Sequence, residues 1–268
     1  MTVTKNDIAK TIKDCGLDDK VVMLHSSLKS FGQVEGGAPS IVDAFLDCGC
    51  TLLVPTFCYQ YILPPLEKIS GNGRDDDEQW DGPENKGIYT CDTNLISDGM
   101  GAIPRAILSY SGRVRGYHPV NSFTAAGPEA EALISEQTPT DVYGPIRKAG
   151  ELGAYIVLAG VGLNRMTAIH CAEQLSGRNL FICWANGLDG KPIETRVGSC
   201  SEGFERLAPI LAPVERRYKA GDSLWRIFLL AGMLDACTDA ISENQEITRC
   251  DNPGCIRCRD SVAGGPRR

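Results

Sequence analysis

No stretch of this chain approaches the roughly 20 consecutive apolar residues that a helix needs to cross a bilayer. The N-terminal MTVTKNDIAKTIKDCG also has no apolar core of the secretory kind. A cytoplasmic protein with no membrane partner is therefore expected. Basic residues are in deficit, with 27 Lys and Arg against 34 Asp and Glu and a net charge of −7. The electrostatic footprint of a nucleic-acid binder is missing, and a small cationic molecule is what such a surface would attract. Neither the dinucleotide fingerprint nor the phosphate-binding loop ending in Lys-Ser/Thr occurs, which argues against NAD and ATP. Histidine is scarce: His25, His118 and His170 are the only three.

Cysteine is not scarce. Twelve cysteines in a cytoplasmic chain read as reduced thiols, with metal binding as the competing use, and not as a disulfide scaffold. At 268 residues, 43% hydrophobic and 23% charged, the chain can bury a core without staples. Thr4 and Asp7 form a capping-box pattern ahead of a helix over 4–16. The runs 21–24 and 51–55 read as buried strands around a helix over 38–48, a β-α-β unit. From 58 to 93 the pattern fails in a long irregular loop, with Pro64-Pro65, Gly71-Asn72-Gly73 and the acidic run Asp75-Asp76-Asp77-Glu78. Helices are predicted over 101–109, from Pro128 to Ile134, over 166–176, over 204–211 and over 225–244, with the strongest strand at 154–161. Asn186-Gly187 and Asp189-Gly190 mark a hairpin between 180 and 197. With no repeat and no linker, the fold class is α/β: a single domain over 1–265, its central mixed sheet flanked by helices, with a cysteine-containing tail at 250–258.

Each histidine sits at a strand or loop edge, in LHSSL for His25, YHPVNSF for His118 and TAIHCAE for His170, and a core histidine is the plain alternative for any one of them. His170 is the sharpest candidate, because it follows the strongest strand and falls on the first turns of the next helix, where α/β ligand sites lie. Glu173, three residues on, shares its helical face and could orient the ring, although on spacing alone an exposed helix acid is the preferred reading. In HSSLKSFGQVEGG, Ser26, Ser27 and the Gly36-Gly37 turn offer hydroxyls and free N–H groups to an anion such as a phosphate, although by spacing alone a tight turn is the better reading of the glycines. The acidic run, with Asp81, can hold a cationic amine or simply be a solvated face. In the tail, Cys250-x4-Cys255-x2-Cys258 supplies three soft ligands, and Cys200 can complete a four-coordinate structural zinc. Cys237 is a poorer fourth ligand, since it sits inside an apolar helical pattern.

HSSLKSFGQVEGG, TLLVPTF, MGAIPRAI, HPVNSFTAAGPEAEALI and GVGLNRMTAIHCAE, in that order between about 20 and 175, together resemble the motifs of the aminoglycoside 3-N-acetyltransferase family. The resemblance implies an antibiotic N-acetyltransferase-like fold and transfer of acetyl from acetyl-CoA to an amine, here an aminoglycoside antibiotic at its 3-N position, in a resistance reaction. It places CoA against His25, Ser26, Ser27 and Leu28, the Gly36-Gly37 helix start, and the loop carrying His118, Ser122 and Phe123. It makes His170 the general base. An ammonium cannot attack a thioester, so a proton acceptor is required and an imidazole suits that task. The chain has Tyr143-Gly144-Pro145-Ile146 where family members carry Ser-Pro-Leu, and 58–93 and the segment after 180 match less clearly, which leaves a non-aminoglycoside amine open as acceptor. Two other classes stand beside this one. A cysteine hydrolase would use Cys171 or Cys58, and a zinc-stapled binding protein of the same fold would leave His170 idle. A homodimer is compatible with the sequence.

Overall fold

The structure, a computed structural model, describes residues 2–75, 82 and 84–267. Asp76, Asp77, Glu78 and Asp81 of the acidic loop lie outside the described residues. Helix α1 (Lys5–Asp14) opens with the expected capping box, in which Thr4 Oγ1 accepts from the Asp7 N–H and Asp7 accepts from the Thr4 N–H. Strand β1 (Val21–Ser26), helix α2 (Gly37–Asp47) and strand β2 (Thr51–Pro55) then form the β-α-β unit, and β3 (Ile62–Leu63) lies in the long loop. Next come α3 (Ala102–Leu108), β4 (Val114–Arg115), β5 (Phe123–Ala126), α4 (Ala130–Ile134), α5 (Gly144–Glu151) and β6 (Tyr155–Ala159). The chain continues through α6 (Ala168–Leu175), the hairpin β7 (Phe181–Asn186) and β8 (Pro192–Val197), and the short α7 (Ala208–Leu211). It closes with β9 (Arg216–Ala220), β10 (Ser223–Leu229), α8 (Leu230–Glu243) and α9 (Ile256–Val262).

Seven strands make a mixed sheet in the order β4-β5-β2-β1-β6-β10-β9, with β2, β1 and β6 parallel at its centre. Both faces are covered, so β1 reads as a continuous apolar run. Val21 and Met23 pack with α4, α5, α6 and α8 on one side. Val22 and Leu24 pack with α1, α2 and α3 on the other. On that second face Trp225 stacks on Phe45 at 5.7 Å between ring centroids. Burying an aromatic ring of this size is worth about 1.5–3 kcal/mol. A separate antiparallel sheet, β3-β7-β8, stands beside the carboxyl ends of the central strands.

Some sequence expectations change. The pattern over 225–244 is a strand followed by a helix: Ser223, Trp225 and Ile227 alternate inward while Leu224 is exposed, a period of two that runs unbroken into the apolar start of α8. Its edge neighbour β9, RRYKA, escaped notice because charged side chains protect an exposed edge and mask the strand pattern. Pro128 precedes α4, which begins at Ala130 behind the cap Glu129. In the long loop, buried Arg115 donates to the carbonyls of Thr56, Thr93 and Leu95, and Arg113 to those of Cys91 and Asp92. Those bonds hold residues 91–95 against β4.

Candidate active site

The parallel strands end side by side, and their carboxyl ends open into a cavity of about 1150 Å3. This is where open α/β sheets receive ligands. Pockets for a single drug-sized ligand run to roughly 1,000 Å3, so this one can hold a large cofactor together with a second reactant. Leu24 to Lys29 form one wall, the residues after β2 and β6 the floor, and Phe181, Ile182 and Val197 of the small sheet the opposite wall.

His170 faces this cavity from the first turn of α6. The helical spacing of three residues brings Glu173 alongside, and His170 Nδ1 donates to Glu173 Oε2 at 2.7 Å. A carboxylate only accepts, so the proton is assigned to Nδ1 and Nε2 is left as the acceptor. Glu173 is 4% exposed, a charge that needs partners. Its other oxygen, Oε1, accepts from Arg178 Nη1 at 2.5 Å and from the Thr248 hydroxyl at 2.9 Å. Arg178 in turn donates to the Gln245 side chain at 3.1 Å and its carbonyl at 2.5 Å. Burial pulls the Arg178 pKa down from its usual value, and Glu173 opposes that shift. Phe204 packs edge-on against the His170 ring, 4.7 Å between centroids. On the other flank, a Cβ on Gly198 would lie 2.7 Å from His170 Cγ and 2.6 Å from the Tyr143 hydroxyl, so only glycine lets the strand-end pass the ring.

The remaining candidates divide. His25, Ser26, Ser27 and Leu28 line the cavity. His25 Nε2 and Ser26 Oγ are buried with no hydrogen-bond partner, as is Oδ1 of Asn121, another lining residue. Buried polar atoms are usually paired, and these three, without a protein partner, all belong to residues that line the cavity. Burial pushes the His25 pKa down to about 3. His118, Ser122 and Phe123 stand behind the wall instead. His118 Nε2 donates to the Arg196 carbonyl at 2.9 Å while Nδ1 accepts from the Asn121 N–H at 2.8 Å, and burial takes its pKa down to about 4. Ser122 Oγ donates to the Thr56 carbonyl at 3.0 Å, and Phe123 packs edge-on against Phe57. Gly36 and Gly37, with φ of 72° and 66°, start α2 outside the cavity lining.

Cys58 and Cys171 are buried, and burial raises both thiols, Cys171 to about 12. A cysteine nucleophile works as its thiolate, so the hydrolase reading fails on both. Cys200, Cys250, Cys255 and Cys258 come together, their sulfurs all within 4.8 Å of one another. A tetrahedron with zinc–sulfur bonds of about 2.3 Å has edges of about 3.8 Å, so a small contraction closes the set around a metal. Cys237 is buried in α8 beside Met233 and stands outside this cluster.

Sequence reasoning missed Arg178, Gln245 and Thr248, which are polar residues in loop patterns with nothing local to mark them as buried. It also missed the cations of the cavity. Among the described residues the lining carries Lys29, Arg74, Arg165 and Arg257 against one carboxylate, Glu202. No helix among the described residues is long and apolar enough to cross a membrane.

A family model described as aminoglycoside 3-N-acetyltransferase matches residues 23–241. Aminoglycoside N(3)-acetyltransferase IX of Micromonospora chalcea is 31% identical over 183 residues, which are 65% of this chain and 63% of that protein, so the match spans less than two thirds of the relative. Among solved structures, the apoenzyme of aminoglycoside acetyltransferase AAC(3)-IVa superposes with a TM-score of 0.77 at 20% identity, over 98% of both chains. The binary complex of AAC-IIIb with CoASH gives a TM-score of 0.73 at 19% identity, over 91% of this chain and 97% of that one. At these identities the superpositions establish a shared mixed α/β fold.

Proposed function

From its membership of the aminoglycoside 3-N-acetyltransferase family, we propose that this chain transfers the acetyl group of acetyl-CoA to an amine, with an aminoglycoside 3-amino group as the acceptor class and His170 as general base. The observation that carries this reading is the buried Arg178–Glu173–His170 relay ending on a cavity large enough for both reactants.

In this reading the amine sheds a proton to His170 Nε2 as its nitrogen attacks the thioester carbon. The imidazolium that forms is stabilised by Glu173, which Arg178 and Thr248 hold in place. The new C–N bond forms as the C–S bond breaks, and CoA leaves as its thiolate. His25, Ser26, Ser27 and Leu28 receive the cofactor at the end of β1, and the lining cations suit its phosphates. His118 acts from behind by accepting from the Asn121 N–H of the wall, with Ser122 and Phe123 packed beside it, while Gly36 and Gly37 start the helix that follows β1. A structural zinc on Cys200, Cys250, Cys255 and Cys258 completes the proposal.

The test is loss of thioester absorbance when the purified protein meets acetyl-CoA and a panel of amines that includes aminoglycosides, amino acids and simple polyamines. Turnover with aminoglycosides is the expected result. Turnover restricted to other amines would keep the chemistry and replace the acceptor. No turnover with any amine would overturn the reading.

A further inference from the structure

The four-cysteine cluster adjoins the catalytic relay. Gln245 and Thr248, which hold Arg178, lie just before Cys250, and Ser261, whose hydroxyl accepts from Arg178 at 3.4 Å, lies just after Cys258. A small interstice is walled by Glu173 and Arg178 on one side and by Cys200 and Cys258 on the other. Cys200 also lines the main cavity, next to Gly198 and Ser199. That strand-end is tied to the tail a second time: Arg257 donates to the Gly198 carbonyl at 2.9 Å, and the Ser199 hydroxyl donates to the Arg257 carbonyl at 3.2 Å. Gly198 is the residue that meets the His170 ring. The imidazole is therefore held from two directions by segments that converge on the same four sulfurs.

We propose that Cys200, Cys250, Cys255 and Cys258 form a tetrathiolate zinc site that positions His170 and Glu173, so that metal occupancy sets the rate of acetyl transfer and not only the stability of the tail. Four convergent thiols on a short tail and one strand-end fit a closed structural site, and zinc is the metal that such a set favours. Binding releases the thiol protons to solvent. With the metal in place, the segments 245–248 and 256–261 are clamped together, and Arg178 is caught between them and Glu173. Without it, the cluster is held by weak contacts such as the hydrogen bond from the Cys250 backbone N–H to Cys258 Sγ at 3.3 Å. Both the acceptors that hold Arg178 and the Gly198 flank of the ring then loosen.

The inference rests on the acetyl-transfer reading, and its test separates the two. Full-length protein is assayed for bound zinc under reducing conditions, stripped with a chelator and reloaded. At each step kcat, KM for acetyl-CoA, circular dichroism and the low-field NMR signal of the His170 Nδ1 proton are recorded. One zinc per chain is expected. Stripping should lower kcat roughly 10- to 100-fold, as loss of alignment by an ångström does, with KM for acetyl-CoA within about twofold. The Nδ1 proton signal should vanish, and zinc should restore both. The zinc content and the proton signal are read without turnover, so they decide the matter even if no acceptor is found. Absence of zinc overturns the site. Zinc whose removal changes neither kcat nor the proton signal overturns the coupling and leaves the site standing. Should the stripped protein lose its fold, the zinc-loaded Thr248→Val variant gives the reverse measurement. By reciprocity its zinc affinity in competition with a chelator should fall roughly tenfold, and an unchanged affinity overturns the coupling.

Discussion

Arg178→Met removes the buried guanidinium and leaves a side chain of similar length. Arg178 and Glu173 have side chains only 3% and 5% exposed, so solvent neither screens their attraction nor rescues the survivor. The substitution deletes the bonds to Glu173, Thr248 and Gln245 together and strands a carboxylate in the core. Breaking a buried pair by removing one partner costs about 3–5 kcal/mol. With a urea m-value of about 3 kcal/mol/M, that moves the unfolding midpoint down by about 1–1.7 M. Glu173 can lower the penalty by taking up a proton, but it then stops serving as the acceptor for His170, so kcat falls as well. Arg178→Lys keeps the charge and loses the fork, and its cost should be roughly half. Urea titrations followed by fluorescence and circular dichroism give both numbers. A midpoint for Arg178→Met within about 0.3 M of the parent protein, with kcat unchanged, would refute the claim that this arginine holds the relay.

Two further outcomes follow from the cavity and the buried rings. His25 and His118 have folded-state pKa values near 3 and 4 because burial disfavours their charged forms. Between those values and about 6.5 the unfolded chain binds more protons than the fold, so stability is whole above pH 6.5 and is lost as the pH drops through that window. The arithmetic gives about 2 kcal/mol per ring at pH 5, visible as a falling Tm by calorimetry, and a Tm flat from pH 8 to 5 would contradict it. Ser27→Trp should fill the end of β1 where the cofactor is placed and weaken CoA binding by about tenfold or more in titration calorimetry, about 1.4 kcal/mol, and unaltered affinity would remove Ser27 from the cofactor site.

The sequence made most of the parallel core legible, because β1, β2 and β6 are buried on both faces and so read as unbroken apolar runs between glycine-marked turns. Trp225 to Leu229 was not legible, since an antiparallel strand that feeds directly into an apolar helix presents one long hydrophobic stretch with no turn residue between. At the site, His170 and Glu173 could be paired because their coupling is local, three residues along one helix. Arg178 and Thr248 could not, since 70 positions separate them and neither their burial nor their contact leaves a periodic trace. The four cysteines were found by ligand spacing, which survives in sequence even though Cys200 is 50 residues from the rest of the set. For His118 the sequence shows the motif but not the bonding: both ring nitrogens engage backbone groups that shape the loop, at Arg196 and Asn121.

The most direct test of the central claim is His170→Ala assayed beside CoA titration calorimetry on the same preparation. Loss of a general base costs about 10²- to 10⁴-fold in turnover, so kcat should fall within that range while CoA affinity stays within about twofold. Turnover equal to that of the parent protein would contradict the account, and would show that the amine loses its proton elsewhere.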